Sequence, residues 1–283
     1  MKHAPGLRSL AVEQLDTESL SLSFCREGDS QEHVLAFYEA LEVAEIFQLW
    51  RTRVHEFTGL KEKIREAIMS GPLLREGEKP SNSSNRPRND IFRFFLAGRL
   101  LAADCQVLAV EGIPRANQDD RWVGDVTVWH DGVTLDIQSK RPQTQETVGP
   151  NIEKAKRQLL HTSNPRMGII AIDVSVPIRP AGTLCPANNL ARASKKLTSL
   201  IDAHAVAVTD EMLGPNIPGI IWYGRIPCMV TEQSRIATPT GTQYEMTRPY
   251  SAGEIAVALN ASSPYVHALR GIGTKLSAWL NNQ

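Results

Sequence analysis

The chain has 283 residues, 42% hydrophobic and 22% charged, a composition typical of a globular protein with one large domain or two modest ones. Its 31 basic and 31 acidic residues cancel, so the overall charge indicates neither a nucleic-acid nor a membrane partner, and any basic surface must be local. The four cysteines are isolated and no segment approaches about 18 consecutive apolar residues, which argues against a zinc ribbon, a secreted disulfide framework and a membrane span and predicts a cytoplasmic protein.

The first third of the sequence predicts helices. Apolar residues recur at helical spacing through 33–54, after Asp29 and Glu32, which resemble an N-terminal capping box. A second helix is predicted over 59–70, ending at Gly71-Pro72. The stretch Arg75 to Asn89 is polar and lacks an apolar period. We therefore expect a helical N-terminal region over 1–80 and a linker over 81–89.

The remaining residues, 90–283, predict an α/β domain with a C-terminal extension. The Asp131-Gly132 pair between two alternating runs is a strong signal for a tight hairpin. The pattern predicts a helix over 90–104, strands over 105–111, 121–130 and 133–141, a helix over 151–163, a strand over 167–175, a helix over 187–204, one or two strands over 219–231, and a helix over 264–282. The order α-β-β-β-α-β indicates a mixed central sheet with flanking helices.

The second hairpin strand carries an unusual set of polar residues. Asp136, Gln138 and Lys140 alternate with core-facing apolar residues and therefore share one face. We expect Asp125, on the preceding strand, to join Gln138 and Lys140. Carboxylate and amide oxygens suit magnesium, and an adjacent ammonium can hold a water or a phosphate oxygen. These are the requirements for metal-assisted hydrolysis of a phosphodiester.

Asp125 followed by Gln138-Ser139-Lys140 resembles the motif of the PD-(D/E)xK nuclease superfamily. The glutamine in place of the acid looks most like the Mrr-type restriction endonuclease branch, and the predicted element order also matches the α-β-β-β-α-β core of the family. The resemblance covers roughly residues 90–175. It implies a restriction-endonuclease-like fold and a nuclease that uses Mg²⁺ or Mn²⁺.

The resemblance also implies roles for individual residues. Asp125 and Gln138 would bind the metal, the Ser139 carbonyl would be a further ligand, and Lys140 would assist the attacking water. The family often has an acid on the first core helix, but here Arg93 and Phe94 occupy the middle of that helix, and Asp90 at its start is the nearest substitute. Basic residues near the nucleic-acid backbone would be Arg141, Lys154, Lys156 and Arg157.

Other interpretations of these residues stay open. Asp125 could be a polar strand residue, Lys140 a solvated edge lysine, and Asp90 a helix N-cap. Asp136 is expected to be solvated or to support the ligands, although it could replace Gln138. The basic residues of the 151–163 helix could form a solvated face. For Asp173, at a strand end, we expect a structural role.

The sequence thus predicts a metal-dependent nuclease that acts on DNA, and by analogy alone a role in restriction or anti-phage defence. The alternative is an inactive protein of nuclease fold that binds nucleic acid or a partner protein. A third possibility is an interaction protein dominated by its N-terminal helices. Those helices could also form a homodimer or bind a partner protein.

Overall fold

The computed structural model describes residues 31–69, 86–116, 124–160, 167–178, 185–187, 190–205, 208, 210–234 and 244–280. The predicted cap at Asp29, the helix end at Gly71-Pro72 and the 81–85 part of the predicted linker lie outside these ranges. Within them, no helix is both long enough and apolar enough to cross a membrane.

The chain is an α/β protein with one mixed sheet. Its helices are α1 (Gln31–Trp50), α2 (Leu60–Met69), α3 (Arg86–Ala102), α4 (Val148–Leu160), α5 (Leu190–Ala205), α6 (Asp210–Leu213) and α7 (Val266–Leu280). Its strands are β1 (Gln106–Val110), β2 (Ile113–Pro114), β3 (Val126–His130), β4 (Val133–Lys140), β5 (Gly168–Asp173), β6 (Cys185–Ala187), β7 (Gly219–Ser234) and β8 (Tyr244–Leu259).

The sheet combines antiparallel and parallel pairing in the order β2-β1-β3-β4-β5-β7-β6, with β8 also paired to β7. Strands β1, β3 and β4 are antiparallel neighbours, whereas β4, β5 and β7 are parallel. The β3–β4 hairpin turns at Asp131 and Gly132, whose φ values of 48° and 78° are those of the tight turn that the sequence predicts. The parallel β4–β5 pair is connected through α4, as parallel pairs require a crossover.

Apolar residues on the two faces of the sheet form two cores. On β5, Ile169 and Ala171 pack with helices α1, α2, α3 and α7, whereas Ile170 and Ile172 pack with α4 and α5. The alternation follows from the two-residue period of a strand, and burial of both faces explains the continuous apolar run. The strand is fully buried along its length.

The N-terminal helices belong to the same core as the sheet. Apolar residues of α1 and α2, including Ile46, Leu60 and Ile64, pack in one cluster with α3 and with β1, β3 and β4. The Trp50 indole nitrogen also donates a 2.8 Å hydrogen bond to the Phe94 carbonyl of α3. The predicted boundary between a helical region and an α/β domain therefore does not separate two cores. A homodimer or partner bound through these helices stays a prediction.

One element boundary differs from that predicted, and one long strand was not predicted. Helix α3 begins at Arg86, so residues 86–89 are helical and do not belong to a linker. Asp90 consequently lies inside the helix, which excludes it as the N-cap residue. The additional strand is β8, which forms a long antiparallel hairpin with β7. The polar, proline-containing sequence of β8 shows no strict alternation.

Candidate functional site

An open cavity of about 600 Å³ lies where α3, β3, β4 and α4 meet. Its lining includes four of the predicted site residues, namely Asp90, Asp125, Ser139 and Lys140, and two of the predicted phosphate contacts, Arg141 and Lys154. Its size is within the range of ligand-binding clefts. Gln138 is buried and is not among the residues that line the cavity.

Helix α4 forms one wall of the cavity because its two faces differ. Val148, Ile152, Ala155 and Leu159 pack into the core beneath it. Asn151, Lys154 and Gln158 follow at helical spacing on the other side and line the cavity. A short turn, in which the Thr144 amide donates to the Thr147 hydroxyl at 3.1 Å, leads into this helix.

Asp125 joins β3 to the end of β4. Its Oδ2 accepts 2.8 Å hydrogen bonds from the amide and from the hydroxyl of Ser139. Gly124, the preceding residue, packs closely against Asp136, since a Cβ at Gly124 would lie 2.8 Å from the Asp136 Cβ. Asp125 is therefore held in place by β4.

Lys140 points into the same cavity from the end of β4. It is 7% exposed, and its Nζ donates a 3.0 Å hydrogen bond to the Ser139 carbonyl. Burial lowers the pKa of its ammonium, Asp125 acts in the opposite direction, and the positive charges of Arg93 and Lys154 lower it further. A solvated edge lysine is excluded by this burial.

The guanidinium of Arg93 lies among three carboxylates. Its Nη2 is 3.1 Å from Asp125 Oδ1, and its Nη1 is 3.3 Å from Asp90 Oδ1 and also contacts Glu111. Asp90 and Arg93 are neighbours on one face of α3, because three residues separate them along the helix. The side chains are 11% to 15% exposed, so these ion pairs are only weakly screened by solvent.

Asp136 is buried, which excludes the solvated position that was one of the two expected for it. It is 3% exposed, and its Oδ1 accepts a 2.6 Å hydrogen bond from the hydroxyl of Thr127 on β3. Thr127 is itself fully buried and directly opposite Asp136 in the β3–β4 register. This pair therefore links the two strands beneath the site.

Arg141 lines the cavity, but its side chain is directed into the protein. The guanidinium is 1% exposed and lies 2.5 Å from a carboxylate oxygen of Glu42 on α1 and 2.5 Å from one of Asp173 at the end of β5. Burial acts to lower the pKa of Arg141, but the two carboxylates outweigh it and raise the pKa above its usual value. The guanidinium is thus engaged by carboxylates instead of facing a phosphate, and Asp173 has the structural position that we expected.

The other two predicted phosphate contacts lie outside the cavity lining. The Lys156 ammonium donates to the Met212 carbonyl on α6, and the exposed Arg157 donates to the Glu153 carbonyl at 3.4 Å. Of the basic residues of this helix, only Lys154 lines the cavity.

No family model, no curated protein and no solved structure matches this chain. The functional interpretation therefore depends on the residues and on their geometry.

The carboxylates and carbonyl at the cavity are oxygen donors of the kind that bind divalent cations. Among the residues with a described position, no group of three His, Cys, Asp or Glu side chains is arranged to hold a metal ion. The chemistry of the donors nevertheless suits magnesium, because Asp90, Glu111, Asp125 and the Ser139 carbonyl all present oxygen. The positive guanidinium of Arg93 lies between the carboxylates of Asp90, Glu111 and Asp125, in the place that a metal cation would take.

Sequence reasoning did not assign Glu111 or Arg93 to the site. Glu111 follows β1 in a turn with a φ of 53°, and its amide donates a 2.8 Å hydrogen bond to the Asp125 carbonyl. In the sequence, the Glu111-Gly112 pair after an apolar strand is a turn signal. In the structure, this turn brings Glu111 next to the start of β3. For Arg93, the available signal was its spacing of three residues from Asp90 on a helix.

Proposed function

We propose that this chain is a metal-dependent nuclease that hydrolyses phosphodiester bonds of DNA. The observation that carries the proposal is that Asp125, Ser139 and Lys140, which are linked by hydrogen bonds from Ser139 to Asp125 and from Lys140 to Ser139, line one open cavity. An oxygen-rich site beside an ammonium is the combination that phosphodiester hydrolysis needs.

The arrangement of the elements supports the same proposal. Helix α3 precedes β1, β3 and β4, which are antiparallel, and α4 then leads to β5, which is parallel to β4. This order agrees with the α-β-β-β-α-β core of the PD-(D/E)xK nucleases, with the short β2 as an addition. The restriction-endonuclease-like fold and the choice of DNA as substrate rest on that resemblance.

Seven residues at or beside the cavity have proposed roles. Asp125, with Asp90, Glu111 and the Ser139 carbonyl, would hold Mg²⁺ or Mn²⁺, and Gln138 would support these ligands from β4. Bound there, the ion supplies Lewis-acid polarisation of the phosphate and a more acidic water. Lys140 orients the attacking water and offsets the negative charge that develops on the phosphate oxygens. Lys154, at the open side, contacts the phosphate backbone.

A cleavage assay tests the proposal. Plasmid, linear duplex, single-stranded DNA and RNA are incubated with the purified chain in Mg²⁺, in Mn²⁺ and in EDTA. We expect cleavage of a DNA substrate that requires the metal and is lost in Asp125→Asn and Lys140→Met. Lys156→Met, outside the cavity, is the matched control and retains cleavage. Cleavage that persists in Lys140→Met and Asp125→Asn would contradict the assignment.

A second candidate function is a nuclease-fold protein that binds nucleic acid without cutting it. The observation that favours it is the guanidinium of Arg93 among the carboxylates that the first proposal assigns to the metal. This candidate predicts binding that weakens steeply with salt, through phosphate contacts such as that of Lys154, and no cleavage with any divalent metal. The same assay, with a filter-binding measurement at several salt concentrations, distinguishes the two candidates.

A further inference from the structure

We infer that Arg93 is an internal counter-ion that competes with the divalent cation for the carboxylates of Asp90, Glu111 and Asp125. Metal loading then requires the guanidinium to leave these carboxylates. The inference rests on the proposed function and concerns how its metal site is controlled.

Both carboxylate oxygens of Asp125 already have partners, and Arg93 is one of them. Asp125 Oδ1 is 3.1 Å from Arg93, and Asp125 Oδ2 already accepts two hydrogen bonds from Ser139. An incoming cation must therefore replace Arg93 at Asp125 or share this carboxylate with it. Sharing places two positive centres on one carboxylate, where they repel each other.

When no metal is bound, the negative charges of Asp90, Glu111 and Asp125 need a positive group to balance them. Three carboxylates, with side-chain exposures of 13% to 15%, contact the Arg93 guanidinium. Like charges this close and this poorly hydrated repel each other unless a positive group lies between them. Arg93 supplies that charge from α3, and its planar guanidinium can contact several carboxylates at once.

The guanidinium is also able to move away from the carboxylates. Within the described residues, its Nε has no hydrogen-bond partner, so that part of the group is not anchored. The cavity beside it is open, and the long arginine side chain can extend into it. Helix α3 itself is fixed by buried apolar residues such as Phe92, Phe94 and Phe95.

The test measures metal binding by the full chain in the absence of nucleic acid. Free Mn²⁺ is followed by electron paramagnetic resonance during titration of wild type, Arg93→Gln and Arg93→Lys. We expect Arg93→Gln to bind Mn²⁺ at least about tenfold more tightly, because one competing charge is removed at close range. Arg93→Lys keeps the charge and binds as weakly as wild type. Arg53→Gln, which removes a different ion-paired arginine outside the cavity lining, leaves Mn²⁺ binding unchanged.

A folded Arg93→Gln variant that binds Mn²⁺ no more tightly than wild type overturns the inference. If this variant folds only with Mn²⁺ or Mg²⁺, as followed by circular dichroism, the metal has replaced the lost counter-ion and the inference stands. If it does not fold at all, the Arg93→Gln, Glu111→Gln double variant, which removes one charge of each sign, decides: tighter binding than wild type supports the competition and equal binding overturns it. Because no cleavage is measured, failure of the nuclease proposal is a separate result.

Discussion

The ammonium of Lys140 donates a 3.0 Å hydrogen bond to the carbonyl of its own neighbour, Ser139. The lysine is thus folded back over the strand end that carries it, in a cavity where the carboxylate of Asp125 provides nearby negative charge. Burial of an ammonium is unfavourable and is tolerated here by these two partners. A residue kept in this costly position indicates a role other than stability.

Lys140→Met separates activity from stability. We expect the loss of the ammonium to lower DNA cleavage by about 10²- to 10⁴-fold, the usual contribution of one positioned proton-transfer or electrostatic group. The thermal midpoint should equal or exceed that of wild type, because the cost of a buried charge disappears. Both are measured on the same preparation, by single-turnover cleavage and by calorimetry. Lys154→Met, an exposed lysine at the same cavity, should lose far less cleavage, and a large drop in stability of Lys140→Met would contradict this account.

The stability of the wild type should rise with pH relative to Lys140→Met. The pKa of Lys140 is below its usual value of 10.5, mainly because of burial. Between the lowered folded pKa and 10.5 the unfolded chain binds more protons, so raising the pH through this window favours the folded state. At pH below the folded pKa the penalty is present in full. Urea unfolding of both proteins at several pH values from neutral to 10 checks the sign, and a difference that grows in the opposite direction would refute it.

Arg141→Met should strongly destabilise the protein. It leaves the carboxylates of Glu42 and Asp173, 1% exposed or less as whole residues, without the guanidinium that both contact. Removing one partner of a buried ion pair costs about 3–5 kcal/mol of unfolding free energy. The measurement is equilibrium unfolding in urea. Arg157→Met removes an exposed arginine of α4 and should change the unfolding free energy by less than about 0.5 kcal/mol.

A chain that begins at Leu60 should not fold cooperatively. It lacks Glu42 and Glu45 of α1, which pair with Arg141, Arg99 and Arg225, and it lacks the Trp50 contact with α3.

A thermal melt followed by circular dichroism measures the effect of this truncation. A chain that begins at Gln31 keeps these contacts and is the control, with a sharp transition. A sharp transition in the shorter chain as well would show that the α/β part folds without α1.

Much of the secondary structure is predictable because it depends on neighbouring residues. The Asp131-Gly132 turn and the alternation on β3 and β4 give the hairpin, and they also place Lys140 at a strand end. The start of α3 was misplaced because Arg86–Asn89 are polar, and a helix with a polar first turn shows no apolar period there. Whether Asp136 is solvated or buried stayed open in the sequence because its partner, Thr127, lies on the other strand of the hairpin.

The sequence by itself determined the elements of the predicted core, from the helix before β1 to β5, and that Asp125, Ser139 and Lys140 end near one another, because a hairpin links them over a short stretch of chain. Only the tertiary structure decided which acidic and basic residues form ion pairs. Arg93 lies with Glu111 and Asp125, and Arg141 lies between Glu42 and Asp173, although the chain separates these partners widely. Periodicity reports which face of an element is buried, whereas ion pairing depends on the distances that remain after all the elements have packed.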